Sequence, residues 1–125
     1  MEIILTNTST KPIYEQITSQ IKEMIMTGEL KPGAPMPSMR KLARELHVSV
    51  ITTQRAYDEL SRDGFIITIP AKGTFVSTEN QDFIREENLR KIENLLAEAS
   101  NLARQNGLTL EELQSTLQVI FTEES

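Results

Sequence analysis

The chain has 125 residues, 38% of them hydrophobic and 25% charged, with no cysteine and a single histidine, His47. This composition fits one ordinary soluble domain or a small module with an appendage, and it excludes disulfides, thiol catalysis and a cysteine or histidine metal cluster. A formal net charge of −5 argues against a polyanionic partner only if the charge is evenly spread, and it is not. Residues 38–76 carry six basic side chains (Arg40, Lys41, Arg44, Arg55, Arg62 and Lys72) against four acidic ones, whereas residues 77–125 carry four basic against ten acidic. No run is long enough for a membrane span, and the start of the chain lacks the basic-then-apolar layout of a secretion signal, so a cytoplasmic protein is expected.

In chain order, a polar leader precedes Ile13, Ile17, Ile21 and Met24, whose spacing predicts a helix over about 12–27 with Pro12 in its first turn and Gly28 as its stop. From Gly28 to Pro37 the density of proline and glycine predicts a rigid surface connection without regular structure. Ser38 stands at a cap position ahead of Leu42, Ala43 and Leu46, and Ser49 caps a third helix, about Val50 to Asp63, that ends at Gly64. Only the tight turn Glu45-Leu46-His47-Val48 separates the two, which is the layout of a helix-turn-helix. The β-branched and aromatic runs 65–69 and 74–76, joined by Pro70-Ala71-Lys72-Gly73, predict a hairpin that forms a wing.

After the polar hinge 77–80, Leu89, Ile92, Leu96, Ala99 and Ala103 recur at helical spacing up to a stop at Gly107. Thr109 and Glu112 form a capping box for a last helix with Leu110, Leu113, Leu117 and Ile120 on one face. One helical hairpin has too little mutual surface to bury both stripes, so a second copy is expected to cover Leu89, Ile92, Leu96, Ala99, Leu113, Leu117 and Ile120. Docking of the long helix onto its own winged domain is the alternative. The expected fold class is mainly α with a small β-hairpin: a winged helix-turn-helix over residues 1–76 and a two-helix dimerisation tail over 77–125.

In the third helix the stripe Thr53, Ala56, Tyr57 and Leu60 faces the core, leaving Ile51, Arg55, Asp58 and Arg62 opposite, with Thr52 and Gln54 at the flanks. Arginine suits guanine or phosphate, glutamine suits adenine, and an isoleucine or threonine methyl suits thymine, so this face is chemically able to read a major groove. In isolation a face of this kind is more often a solvated amphipathic surface. Ser49 adds a hydroxyl at the positive end of the helix. Arg40 and Lys41 lie in the first turn of the second helix, where positive charge opposes the helix dipole unless an external anion is present; a salt bridge to a nearby acid is the plainer reading. Lys72 and Gly73 suit turn geometry alone, but beside a helix-turn-helix they are placed to meet a minor groove or a phosphate. The pairs Glu86-Glu87 and Glu111-Glu112 diverge on their helices and no histidine joins them, so no metal, cofactor or enzymatic activity is expected.

The runs Pro37-Ser38-Met39-Arg40-Lys41-Leu42-Ala43, Val48-Ser49, Arg55-Ala56-Tyr57-Asp58-Glu59-Leu60, Asp63-Gly64-Phe65 and Lys72-Gly73-Thr74-Phe75-Val76 resemble, in order and spacing, the DNA-binding domain of GntR-family regulators. Pro12 to Ile17 resembles the opening of that family, and the Ala56-Tyr57 pair with a short two-helix tail is similar to its small YtrA-like subfamily. Too few residues follow the wing for the large effector domain of the bigger subfamilies. The resemblance implies a homodimeric repressor that binds pseudo-palindromic double-stranded operator DNA of a transporter-type or self-encoding operon, with contacts at Arg40, around Ser49 and Thr52, and at Gly73. The full candidate DNA-facing set is Ser38, Arg40, Ser49, Val50, Ile51, Thr52, Gln54, Arg55, Lys72 and Gly73. Val50 and Gln54 stand where many members carry arginine, which moves charge to Arg55, so the operator need not be the commonest family sequence. A winged-helix module that binds protein instead of DNA is the competing reading, and an unidentified small-molecule effector is left open as a further partner.

Overall fold

The computed structural model describes residues 1–123. Helix α1 (Ile13–Met26) buries Ile17, Ile21 and Met24 of the stripe expected from spacing and leaves Ile13 half-buried, and it also buries Ile25, Gln16 and Thr18. The burial of Gln16 follows from its hydrogen bonding. Its carboxamide oxygen accepts from the Thr6 N–H at 3.0 Å, and its Nε2 donates to the carbonyls of Thr6 and Lys11, each at 3.0 Å. Gln20 treats Ile4 in the same way, accepting at 2.9 Å and donating at 2.7 Å. A carboxamide offers both a donor and an acceptor, so each glutamine satisfies the backbone as a neighbouring strand would. The segment read as a polar leader is thereby fastened along α1, with Ile3 and Leu5 packed against the core.

The connection rich in proline and glycine is also more ordered than its composition suggests. Gly33 N–H donates to the Val76 carbonyl at 2.9 Å, Val76 N–H to the Ala34 carbonyl at 2.8 Å and Met36 N–H to the Thr74 carbonyl at 2.8 Å. Pro35 pairs with Phe75 in an isolated antiparallel bridge. Proline is tolerated there because an edge position asks for no inward N–H.

Helix α2 (Met39–Leu46) starts at Ser38, whose Oγ accepts from the Lys41 N–H at 3.1 Å. It ends on His47 in a left-handed conformation (φ 57°, ψ 43°), with the Val48 N–H reaching back to the Ala43 carbonyl at 3.0 Å and the His47 N–H to that of Arg44 at 3.3 Å. That paired closure turns the chain within two residues and delivers Ser49 as the cap of α3 (Val50–Arg62), where its Oγ accepts from the Thr52 N–H at 3.2 Å. Two side chains of α3 then hold the start of α2. The Tyr57 hydroxyl donates to the Pro37 carbonyl at 2.7 Å, and Thr53 Oγ1 donates to the Met39 carbonyl at 2.9 Å. Tyr57 is 1% exposed; burial, with the negative charge of Glu45 adding to it, pushes its phenol well above the ordinary value.

Strands β1 (Ile66–Ile69) and β2 (Gly73–Val76) form the antiparallel wing, with Ile66 opposite Val76 and Ile69 opposite Gly73. The core gathers Ile17, Ile21, Leu42, Tyr57, Leu60 and Ile66 with their neighbours, and it also takes in Ile84. Ile84 lies in the first turn of α4 (Gln81–Gln105), so the first compact unit runs from Met1 to Ile84, past the boundary at residue 76 drawn from the sequence. Asn80 fastens this end by donating from Nδ2 to the Gly64 carbonyl at 2.8 Å.

The second unit begins at Arg85. Its part of α4 closes at Gly107 (φ 73°), where the Leu108 N–H bonds the Ala103 carbonyl at 2.9 Å. The expected capping box opens α5 (Leu110–Glu123): Thr109 N–H donates to Glu112 Oε1 at 3.1 Å, and Glu112 N–H to Thr109 Oγ1 at 3.2 Å. α4 and α5 share no extended packing surface. Among the described residues of this unit only Ala103 is buried. Leu113 is half-buried and Ala99 exposed, while Ile92, Leu117 and Ile120 are 50%, 48% and 53% exposed.

Candidate nucleic-acid interface

The candidate surface is built on the N-terminal half of α3. With Thr53, Ala56, Tyr57 and Leu60 buried, the helix cannot rotate, and Val50, Ile51, Gln54 and Arg55 are turned to solvent. Ile51 is 77% exposed, whereas Ile17, Ile21 and Ile25 of α1 are buried. Thr52 is half-buried, and its hydroxyl shares a 2.8 Å hydrogen bond with Ser49 Oγ. Ser49 therefore serves the helix as a cap, and the amides at that end point outward with the positive end of the helix dipole.

Beside this helix end lies a pocket of about 480 Å³ lined by Arg40, Ala43, Arg44, His47, Val48 and Val50. Three of these side chains are basic residue types contributed by α2 and the turn. Sequence reasoning singled out Arg40 and missed Arg44 and His47 as its neighbours; their spacing along α2 carried the signal, because residues three or four apart share a helix face. Among the described residues the ion pairs are Lys22 with Asp63 at 2.9 Å and Arg90 with Glu87 at 3.0 Å. The salt bridge weighed as the plainer reading of Arg40 is thus not formed, and Lys41, Arg44 and Lys72 also make no ion pair.

Arg55 is the exception among the cations of this face. Its guanidinium carbon sits 3.9 Å from the centroid of the Tyr14 ring on α1, a contact that helical periodicity alone does not reveal. Ser38 is engaged as the α2 cap. Lys72 and Gly73 are exposed at the wing tip, where Ala71 (φ 67°) and Gly73 (φ 119°) take left-handed conformations and the Lys72 N–H closes the turn on the Ile69 carbonyl at 3.0 Å.

Two closely joined helices, the second exposing its N-terminal half, followed by a short antiparallel hairpin, define a winged helix-turn-helix protein. Residues 13–76 match the family described as bacterial regulatory proteins, gntR family, and the chain belongs to that family. It is 36% identical over 112 residues to the HTH-type transcriptional repressor YtrA of Bacillus subtilis (strain 168), covering 90% of this chain and 86% of the relative. Among solved structures it is similar to YtrA from Sulfolobus acidocaldarius, a GntR-family transcription factor, at 38% identity and a TM-score of 0.58, covering 73% of this chain and 97% of that one. It is also similar to AraR(DBD) in complex with operator ORX1, at 25% identity and a TM-score of 0.54, covering 62% of this chain and 96% of that one. Among the described residues no helix is long and apolar enough to cross a membrane.

Proposed function

We propose that the protein is a sequence-specific DNA-binding transcription regulator that acts in the cytoplasm as a homodimeric repressor. The observation that carries the reading is the exposed N-terminal half of α3 beside cations of α2 that form no ion pair among the described residues. Unpaired cations at a helix end are stabilised by phosphate, and Ile51, Gln54 and Arg55 are the side chains placed to meet base edges. Ser49, Thr52 and Val50 form the helix end that approaches the backbone, with Lys72 and Gly73 at the wing tip as a second contact. An operator complex of the similar AraR(DBD) supports this use of the fold.

Dimerisation through the tail is supported by its exposed apolar side chains, which α4 and α5 do not cover for each other. A two-fold dimer presents two copies of α3 to a pseudo-palindromic site and makes the second half-site contact intramolecular. The repressor assignment draws on the repressor name of the Bacillus relative.

Footprinting on DNA upstream of the protein's own gene and of adjacent transporter genes tests the reading. A protected two-fold site is the expected outcome, and binding that shows no preference over random duplex would favour a protein-binding module instead. Arg55→Ala is expected to weaken binding to such a site by about 1–3 kcal/mol at fixed salt.

A further inference from the structure

We propose that Tyr14 is a positioning residue for DNA reading: its ring holds the Arg55 guanidinium in place on α3, so operator affinity depends on an α1 side chain that reads no base itself. The proposal rests on the DNA-binding reading above. Asp58 and Glu59 stand three and four residues after Arg55 on the same helix, the spacing at which helical ion pairs form. Among the described residues Arg55 pairs with neither, and it lies over the Tyr14 ring at 3.9 Å. A guanidinium seated on a ring face keeps its in-plane N–H donors for another partner, whereas a carboxylate would occupy them.

The platform is firm. Tyr14 is half-buried and packed against the core cluster, and α1 packs directly on α3. Ordering a long side chain on binding weakens affinity by roughly 2- to 10-fold. Where the ring orders Arg55 in the free protein, part of that loss is already met on folding. The same contact keeps Arg55 away from the two acids that follow it, so its charge stays available to the groove.

The test uses a short duplex enriched by the wild-type protein from a random-sequence library, with a scrambled duplex as control. Tyr14→Phe keeps the ring and is expected to bind within about twofold of wild type. Tyr14→Leu keeps apolar packing, loses the ring, and is expected to bind about 3- to 10-fold more weakly. In an Arg55→Ala background, Tyr14→Leu is expected to cause no further loss, since the two side chains act as one unit. A loss that persists undiminished in that background, or a Tyr14→Leu protein that binds as wild type does, would overturn the proposal. Should Tyr14→Leu fold poorly, NMR of the wild type decides: ring-current upfield shifts of the Arg55 δ protons support the stack, and unshifted δ protons sink it. Failure of the wild type to enrich any sequence brings down the DNA-binding reading and this proposal with it, which is distinct from a wild type that enriches a site and a Tyr14→Leu variant that retains it.

Discussion

The two units of the chain handle apolar side chains in opposite ways. Residues 1–84 bury Ile17, Ile21, Leu42, Tyr57, Leu60 and Ile66 in one cluster, while the tail from Arg85 buries Ala103 and leaves Ile92, Leu96, Leu117, Ile120 and Phe121 exposed among its described residues. Both contain helices of good amphipathic pattern. The difference lies in what covers them. In the winged unit three helices, the hairpin, the edge segment 33–36 and the fastened leader close around one another, so the hydrophobic gain is collected within a single chain. In the tail, the two helices share no extended packing surface, so little of that gain is collected within the single chain.

The largest break in this contrast is expected from Ile92→Glu with Leu96→Glu. Charge on the tail stripe is expected to abolish self-association in analytical ultracentrifugation while the winged unit keeps its cooperative melt, and a persisting dimer would refute the tail as the interface. Leu60→Ala strikes the other unit. At 0% exposure its truncation is expected to cost about 2–5 kcal/mol in denaturant unfolding, at every protein concentration. An effect that vanished in the dimer would show that the winged core is not self-sufficient.

Tyr57→Phe sharpens the same point at smaller scale by removing the hydroxyl that bonds Pro37, with an expected loss of about 1–2 kcal/mol near neutral pH. Its pH dependence has a definite sign. The folded phenol titrates above its unfolded value, so above a pH of about 10 the unfolded chain releases a proton that the folded chain retains, and stability falls as pH rises. Below that pH both states are protonated and the group contributes no slope. Phenylalanine is expected to flatten this alkaline decline in urea titrations, and an unchanged slope would place its origin elsewhere.

The smallest effect is expected at the wing. Lys72→Ala should weaken binding to all duplexes alike and reduce the salt slope by about one phosphate contact, read by anisotropy over a range of salt. A changed base preference would contradict a backbone role.

Much of the local architecture follows from short-range rules. Ser38, Ser49 and the Thr109–Glu112 box cap the helices they were expected to cap, Gly64 and Gly107 end theirs in left-handed turns, and the hairpin forms across residues 66–76. Each is decided by residues within about one helical turn of one another, where backbone geometry and side-chain reach leave few options. The stripe of α3 is legible for the same reason, and with it the exposure of Ile51, Gln54 and Arg55.

What the tertiary structure alone decided involves partners far apart in sequence. Gln16 and Gln20 read as ordinary polar positions until Ile4 and Thr6 are laid beside them, and Pro35 reads as a breaker until β2 offers an edge. Ile84 joins a core that seemed to end at the wing, and Arg55 finds Tyr14 on another helix. Periodicity specifies which way a side chain faces. Which group waits there depends on how the elements pack, because close packing of many weak contacts, summed over the whole unit, selects one arrangement.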